Sequence, residues 1–175
     1  MGVRTVVLGP PPAELEALLA RRRALGQDLF DEVWEGEYHM SLAPHPRHGS
    51  TLDELIAALR PVVTRAGLRG IGQINLGEPD DYRVPDYSYA VVRPTVTFVP
   101  TAVVVVEVVS PDDETYAKFG FYAHHGVDEL VIAEPLERRV RLFARDGDGY
   151  TEVPTSARLG VDAATLTSSI DWPPT

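Results

Sequence analysis

Val103-Val104-Val105-Val106-Glu107-Val108-Val109 is the stretch that decides the fold of this chain. Its apolar residues follow one another without alternation, which is typical of a strand in the middle of a sheet that is covered on both faces. One carboxylate, Glu107, interrupts the run near its carboxyl end. An ionised carboxylate in such a strand is unfavourable unless it is paired, hydrogen-bonded or bound to a metal. The stretch therefore predicts a central strand that carries a candidate functional residue.

The residues after this strand predict a crossover to a parallel neighbour. The segment 110–113 has Ser at the cap position, Pro at the first helical position and an acid three residues after the Ser. This pattern predicts a helix that runs to about His125 and ends at Gly126. Residues 129–133 are apolar enough for the next strand. Strand, helix and strand in this order favour a right-handed crossover.

The rest of the chain supplies further helices and strands around this core. The other predicted elements are a helix at 13–25, a hairpin at 30–42 around Glu35-Gly36-Glu37, a loop at 44–49, a helix at 50–66, strands at 68–76, 86–92, 138–144 and 150–153, and a less regular segment at 94–100. We expect Ser50 or Thr51 to cap the second long helix and Pro61 to kink or break it. Together these elements predict one α/β (α+β) domain over residues 1–175, with a mixed central sheet, flanking helices and an N-terminal hairpin.

Composition narrows the class of protein. The chain has 175 residues, a formal net charge of −10 and no cysteine. The acidic balance argues against a broad polybasic surface for nucleic acid, and the lack of cysteine excludes disulfides and thiolate zinc sites. The N-terminal apolar run is too short for a signal peptide, and nothing approaches a membrane-spanning run of about eighteen apolar residues. We therefore expect a cytoplasmic protein.

Three residues form a candidate hydrolytic site. Lys118 is the one lysine in a chain with fifteen arginines. It follows Glu107 by eleven residues, on the helix that must pack back against the sheet. Asp86, which follows Val84-Pro85, begins a predicted strand. Alternatives stay open at this stage: Asp86 as a turn residue, Glu107 facing solvent or paired with an arginine, and Lys118 as a solvated surface residue.

The three side chains make chemical sense together. Two carboxylates, Asp86 and Glu107, suit Mg²⁺ or Mn²⁺, and the backbone carbonyl of Val108 is a further candidate ligand. A bound cation lowers the pKa of a water ligand and neutralises phosphate charge. The Lys118 ammonium could orient that water or stabilise the transition state. This combination predicts phosphodiester hydrolysis.

Other polar residues offer weaker candidates. His45 and His48 lie in a proline-rich segment and fit a solvent or capping role better than metal ligation. His124 and His125 are adjacent, so they do not share a helix face. The arginines between 138 and 145 could meet phosphates or form a solvated strand face.

The motifs identify a resemblance to a known family. They are Val84-Pro85-Asp86, then Val104 to Pro111 with Glu107 inside it, then Lys118, then the run Phe121 to Ile132. Over residues 28–145 the chain resembles the Uma-type restriction endonuclease family of the PD-(D/E)XK nuclease superfamily, and the segment 32–37 followed by His48 and a helix also fits.

The resemblance implies a restriction-endonuclease-like fold, Asp86 and Glu107 as metal ligands, and Lys118 as the catalytic lysine. Most members of the superfamily have this lysine two positions after the Glu. Val109 stands there, as in the subgroup whose lysine lies on the following helix. Glu32 is the best match to a further acid that sometimes joins the site.

These observations lead to one main hypothesis and two alternatives. The main hypothesis is a Mg²⁺- or Mn²⁺-dependent endonuclease that cleaves nucleic acid, DNA in the first place, as a homodimer whose two sites address two strands. The first alternative is a catalytically inactive binding or regulatory module that keeps the nuclease fold. The second is a structural homodimer that binds no ligand. The sequence leaves the choice between DNA and RNA open.

Overall fold

A computed structural model describes residues 5–7, 12–41, 45–111 and 114–174. The helices in these ranges are α1 (Ala13–Ala24), α2 (Pro46–Arg65), α3 (Phe119–His124) and α4 (Ala163–Ser169), with a 3-10 turn at Thr115–Lys118 directly before α3. The strands are β1 (Thr5–Val7), β2 (Glu32–Trp34), β3 (Glu37–Met40), β4 (Arg69–Gly72), β5 (Asn75–Glu78), β6 (Asp81–Arg83), β7 (Tyr87–Ala90), β8 (Phe98–Val99), β9 (Val104–Val108), β10 (Glu129–Glu134), β11 (Arg139–Asp146), β12 (Gly149–Val153), β13 (Thr155–Ser156) and β14 (Val161–Asp162). None of the helices in the described ranges has the length and apolar content to cross a membrane.

The described strands form two large sheets and one small one. The central sheet has the order β12-β11-β10-β9-β7-β4, and the hairpin sheet has the order β1-β3-β2-β6-β5-β8. Strands β13 and β14 pair separately. In the central sheet β9 runs parallel to β10 and antiparallel to β7, so this sheet is mixed. The predicted fold class is therefore confirmed, and the predicted hairpin belongs to a second sheet of its own.

The valine run forms the centre of the molecule. Val104, Val106 and Val108 pack in one apolar cluster with side chains of α2 and α4, including Leu55 and Leu166. The opposite face of β9 carries Val105, which packs in a second cluster. Its other buried members include Tyr122, Leu130 and Ile132. Burial on both faces explains why the run does not alternate. Each buried valine side chain contributes about 1.5–3 kcal/mol relative to an exposed one.

The hairpin sheet has its own small core. Glu35 and Gly36 connect β2 to β3 with φ angles of 51° and 85°, the left-handed conformation that a two-residue hairpin turn requires. Leu19 of α1 belongs to the same buried cluster as Val33 and Tyr38. Helix α1 thus covers one face of the hairpin sheet and leaves the Glu32 side of β2 for other contacts.

Helix α2 differs from its prediction in where it begins and in how it passes Pro61. It begins at Pro46, four residues before the predicted start, because His45 caps it: the His45 ring accepts a hydrogen bond from the Arg47 amide at 3.1 Å. Pro46 occupies the first turn, where a missing N–H carries no cost. Of the kink or break predicted at Pro61, the break is wrong, since the helix continues to Arg65, and the kink stays a prediction. The buried apolar stripe of α2 holds the helix together through the proline.

Two other segments were predicted as single elements and are divided. The strand expected at 68–76 is two strands in different sheets, β4 and β5, and the register shifts between Gly70 and Gly72. The helix expected from residue 110 is seen only from Thr115 onward. Asp112 and Asp113 lie outside the described residues. Ser110 does not form the predicted cap, because the helical turn begins at Thr115 with Glu114 at the cap position. The Ser110 hydroxyl lies 3.1 Å from the Nδ1 atom of His48.

Candidate active site

Asp86 and Glu107 lie side by side in the central sheet, where β7 begins and β9 ends. Strands β7 and β9 are antiparallel and Tyr87 pairs with Val106, so the residue before Tyr87 stands opposite Glu107. The Asp86 amide nitrogen is 3.4 Å from Glu107 Oε2. Both residues are thus at the carboxyl end of β9, where ligand sites of open α/β sheets are found.

The Asp86 carboxylate is held at both oxygens. Oδ2 accepts a hydrogen bond of 2.7 Å from the Val108 amide. Oδ1 lies 3.0 Å from Nε2 of His48, at the first turn of α2. The Asp86 side chain retains 17% of its exposure, so solvent or a ligand can still reach it.

Lys118 joins the two large sheets. Its Nζ atom is 2.8 Å from Glu32 Oε1, on the hairpin sheet, and 3.3 Å from Glu107 Oε1, on the central sheet. The side chain is 13% exposed, and both carboxylates are more buried than that. The 3-10 turn places Lys118 between the sheets, which brings together all four predicted site side chains.

Further hydrogen bonds fix the two buried carboxylates. Tyr122 donates to Glu107 Oε1 at 2.5 Å from one turn beyond Lys118. Glu32 accepts from the Val84 amide at 2.9 Å and from the Trp34 indole at 2.7 Å. Each carboxylate is therefore oriented independently of the ammonium that it contacts.

Burial and charge shift the pKa values in opposite directions. Burial, reinforced by Asp86, raises the pKa of Glu107 to about 8, although Lys118 and Tyr122 oppose the shift. Burial alone would lower the pKa of Lys118, but the carboxylates of Glu107 and Glu32 outweigh it and raise that pKa. Burial would likewise raise the pKa of Glu32, but the Lys118 charge keeps it below its ordinary value. The cluster thus has one carboxylate whose charge is poorly compensated.

The residues present fit a divalent cation. When Glu32, Asp86 and Glu107 are all ionised, they face one ammonium and leave a formal charge of −2. Within the described ranges, no group of three or more His, Asp and Glu side chains is arranged to hold a metal ion. Mg²⁺ does not require such a group, because it is often bound through one or two carboxylates and keeps several waters. The pair Asp86 and Glu107 matches that donor set, and ligation by the Val108 carbonyl stays a prediction.

His48 and Tyr122, to which the sequence analysis gave no role in the site, contact its carboxylates. His48 meets Asp86, although its proline-rich surroundings suggested a solvent-exposed loop. Its position in the family-like segment before a helix was the available signal. Tyr122, four residues after Lys118, meets Glu107. The helical spacing from Lys118 placed Tyr122 on the same face, which was the signal in that case.

Comparison with known proteins gives a consistent result. A family model described as "Uma2: Putative restriction endonuclease" matches residues 13–170. Among solved structures, the chain is similar to a "putative nuclease belonging to DUF820" from Anabaena variabilis, with a TM-score of 0.64 and 17% sequence identity over 79% of this chain and 90% of that chain. At this identity the similarity establishes a shared fold. None of the curated proteins matches at a significant level.

Proposed function

Because the chain belongs to the Uma2 family of restriction-endonuclease-like proteins, we propose that it hydrolyses phosphodiester bonds of DNA with a bound divalent cation. Membership supports nuclease chemistry in general. DNA as the substrate and Mg²⁺ or Mn²⁺ as the cation are our extension of it.

One observation carries the proposal. Asp86, Glu107 and Lys118 are far apart in sequence, yet contacts of 3.4 Å or less link Glu107 to both of the others. An acid directly before β7, an acid on β9 and an ammonium beside them form a combination that suits cation-assisted cleavage. A purely structural ion pair would need neither the second acid nor the partial exposure that Asp86 retains.

Each residue has a distinct part in the proposed reaction. Asp86, Glu107 and the Val108 carbonyl would hold the cation. The cation supplies charge neutralisation at the phosphate and a more acidic water. Lys118 holds a fixed positive charge where negative charge develops on the phosphate, and such preorganised charge is effective in a site with little water. Glu32 orients the ammonium and keeps it protonated.

We also propose that the protein acts in the cytoplasm as a homodimer, since two copies would offer one site to each strand of a duplex. Sedimentation equilibrium tests the dimer directly. A dimer has twice the 19.2 kDa of one chain, and a mass of 19.2 kDa at every concentration would refute it.

Nicking of a supercoiled plasmid in Mg²⁺ or Mn²⁺, with and without EDTA, tests the activity. Asp86→Asn and Glu107→Gln should reduce cleavage to the level of a buffer control, because each removes a charged oxygen ligand while preserving shape. Glu137→Gln is a matched control: its carboxylate is 61% exposed and pairs with Arg139 away from the site. All variants are purified in the same way, which excludes a contaminating nuclease.

Calorimetric titration with Mn²⁺ separates the proposal from the inactive-module alternative. The proposal requires Mn²⁺ binding that Asp86→Asn weakens. Absence of cleavage on duplex DNA, single-stranded DNA and RNA, together with absence of Asp86-dependent binding, would refute it. Cleavage that persists in both Asp86→Asn and Glu107→Gln would show that the active site is elsewhere.

A further inference from the structure

We infer that His48 and Ser110 are positioning residues that set the orientation of the Asp86 carboxylate before a cation arrives. This inference rests on the proposed function, because it assigns a role in cation binding to residues that would not ligate the cation themselves. The basis is a chain of three contacts from Ser110 through the His48 ring to Asp86.

Two distances describe this series of contacts. His48 Nε2 faces Asp86 Oδ1 at 3.0 Å, and the opposite ring nitrogen, Nδ1, lies 3.1 Å from the Ser110 hydroxyl oxygen. The first distance is that of a hydrogen bond, although the N–H direction is poorly aligned with the oxygen. The His48 side chain is 11% exposed. The ring is therefore enclosed between the acid and the hydroxyl.

The elements that carry these residues are rigid. His48 lies in the first turn of α2, and Leu55 and Leu59 of the same helix are fully buried in the core beneath the central sheet. Ser110 follows β9 by two residues. The ring is thus fixed by one helix and one strand end, while Asp86 directly precedes the neighbouring strand β7.

The two contacts select one form of the imidazole. A neutral imidazole has one donor and one acceptor nitrogen. The nitrogen that faces a carboxylate is the donor, so Nε2 carries the proton and Nδ1 accepts from the Ser110 hydroxyl. Ser110 therefore acts on Asp86 through the ring, by keeping Nδ1 occupied.

Restraint at both oxygens has a consequence for binding. Oδ2 is held by the Val108 amide and Oδ1 by His48, so the carboxylate cannot rotate without losing one of these contacts. The Val108 amide engages one lone pair of Oδ2, and the remaining lone pairs of the carboxylate stay available to a cation. Partners that orient a ligand residue typically change metal affinity about 10–100-fold when they are removed.

Calorimetric titration of the substrate-free protein with Mn²⁺ tests the inference. His48→Ala should weaken Mn²⁺ binding about 10–100-fold. His48→Gln should recover part of the affinity, because its amide can still donate to Asp86. Ser110→Ala should weaken binding less than His48→Ala, and Ser110→Thr should restore it. His124→Ala is the matched control: it changes the same residue type at an exposed position at the end of α3, and it should leave Mn²⁺ affinity unchanged.

Nitrogen-15 NMR of the imidazole supplies a readout that a purely structural role would not change. The wild type should show His48 protonated at Nε2, and Ser110→Ala should show a mixture of the two neutral forms. Protonation at Nδ1 in the wild type would overturn the assignment. So would labelling of Ser110 by a fluorophosphonate, which would identify the hydroxyl as a nucleophile.

The Asp86→Asn variant separates failure of the inference from failure of the proposed function. If Asp86→Asn binds Mn²⁺ as tightly as the wild type, both the cation site and the positioning role are wrong. If Asp86→Asn weakens binding but His48→Ala does not, the cation site stands and the positioning role alone is wrong.

Discussion

Replacing Lys118 with Met should destabilise the protein strongly, independently of any effect on catalysis. Lys118 provides the ammonium between two carboxylates that are almost inaccessible to solvent, Glu32 and Glu107. Methionine fills a similar volume but carries no charge. The two acids would then be buried together without their cation.

The expected magnitude follows from the burial of the pair. Removing one partner of a buried ion pair typically costs about 3–5 kcal/mol, a large part of a total stability of about 5–15 kcal/mol. With a urea dependence of about 2 kcal/mol per molar, the unfolding midpoint should fall by about 2 M. The loss of stability is limited because Glu32 and Glu107 can take up protons and become neutral.

The pH dependence of this loss has a definite sign. Lys118 keeps the pKa of Glu32 below its ordinary value, so the stabilisation from this pair is present above pH of about 4.5 and is lost as pH falls through the lowered pKa. The deficit of Lys118→Met relative to the wild type should therefore be larger at pH 7 than near pH 4.

Urea denaturation followed by tryptophan fluorescence is the assay, and Arg158→Met is the control. Arg158 pairs with Asp128 at 2.6 Å but is 55% exposed, so the same kind of change should cost less than about 1 kcal/mol. The double variant Lys118→Met with Glu32→Gln should recover part of the loss, because it removes one of the stranded charges. A midpoint for Lys118→Met equal to that of the wild type would refute the reasoning, since it would mean that Lys118 is solvated.

Three other variants test separate parts of the structure by urea unfolding. Burial would raise the pKa of Glu134, but the Tyr116 hydroxyl and neighbouring arginines hold that pKa below its ordinary value. Glu134→Gln should therefore lower the free energy of unfolding by about 1–2 kcal/mol at pH 7 and by a shrinking amount below pH of about 4.5. A difference that stays constant with pH would contradict this. Gly77→Ala should lower the free energy of unfolding by about 3 kcal/mol, because Gly77 has a φ of 121° and an added Cβ would lie 2.4 Å from the Asp81 carbonyl oxygen. An unchanged unfolding midpoint would exclude the clash. Glu129→Ala should lower the free energy of unfolding by about 2–4 kcal/mol, since the buried Glu129 carboxylate accepts hydrogen bonds from two backbone N–H groups in the turn after β13. A decrease below about 1 kcal/mol would contradict that role.

The sequence was a good guide to the centre of the fold and a poor one to strand pairing. The valine run around Glu107 predicted a doubly covered strand, because a continuous run of β-branched apolar residues needs apolar neighbours on both of its faces. In the segment 68–76 the glycines at 70 and 72 were a sign of irregularity, but periodicity does not reveal which strand pairs with which. The bulge between Gly70 and Gly72 becomes visible only when β4 meets its neighbour.

Local capping rules failed where tertiary contacts competed with them. Ser110 was a reasonable helix cap, but the helical turn begins only at Thr115, and the Ser110 hydroxyl contacts His48. Pro61 was a reasonable helix breaker, but the buried stripe of α2 outweighs one missing hydrogen bond. His45, by contrast, caps α2 as one of the roles that its loop-like surroundings suggested.

The side chains predicted for the candidate site converge in the structure, and their roles stay predictions. Asp86, Glu107 and Lys118 stood out because each is an unusual residue for its place in the chain. Glu32 came from resemblance alone. Local signals pointed to Tyr122 and His48, but which carboxylate each one contacts depends on how a helix packs against a strand end.

The position of Lys118 between the two sheets has a consequence for the newly made protein. Glu107 and Lys118 can meet within the central sheet, but Glu32 reaches the ammonium only after the hairpin sheet has docked. An emerging polypeptide whose hairpin sheet has yet to dock therefore holds a lysine that lacks its second acid. On the proposed function, the ammonium is fully oriented only in the finished fold.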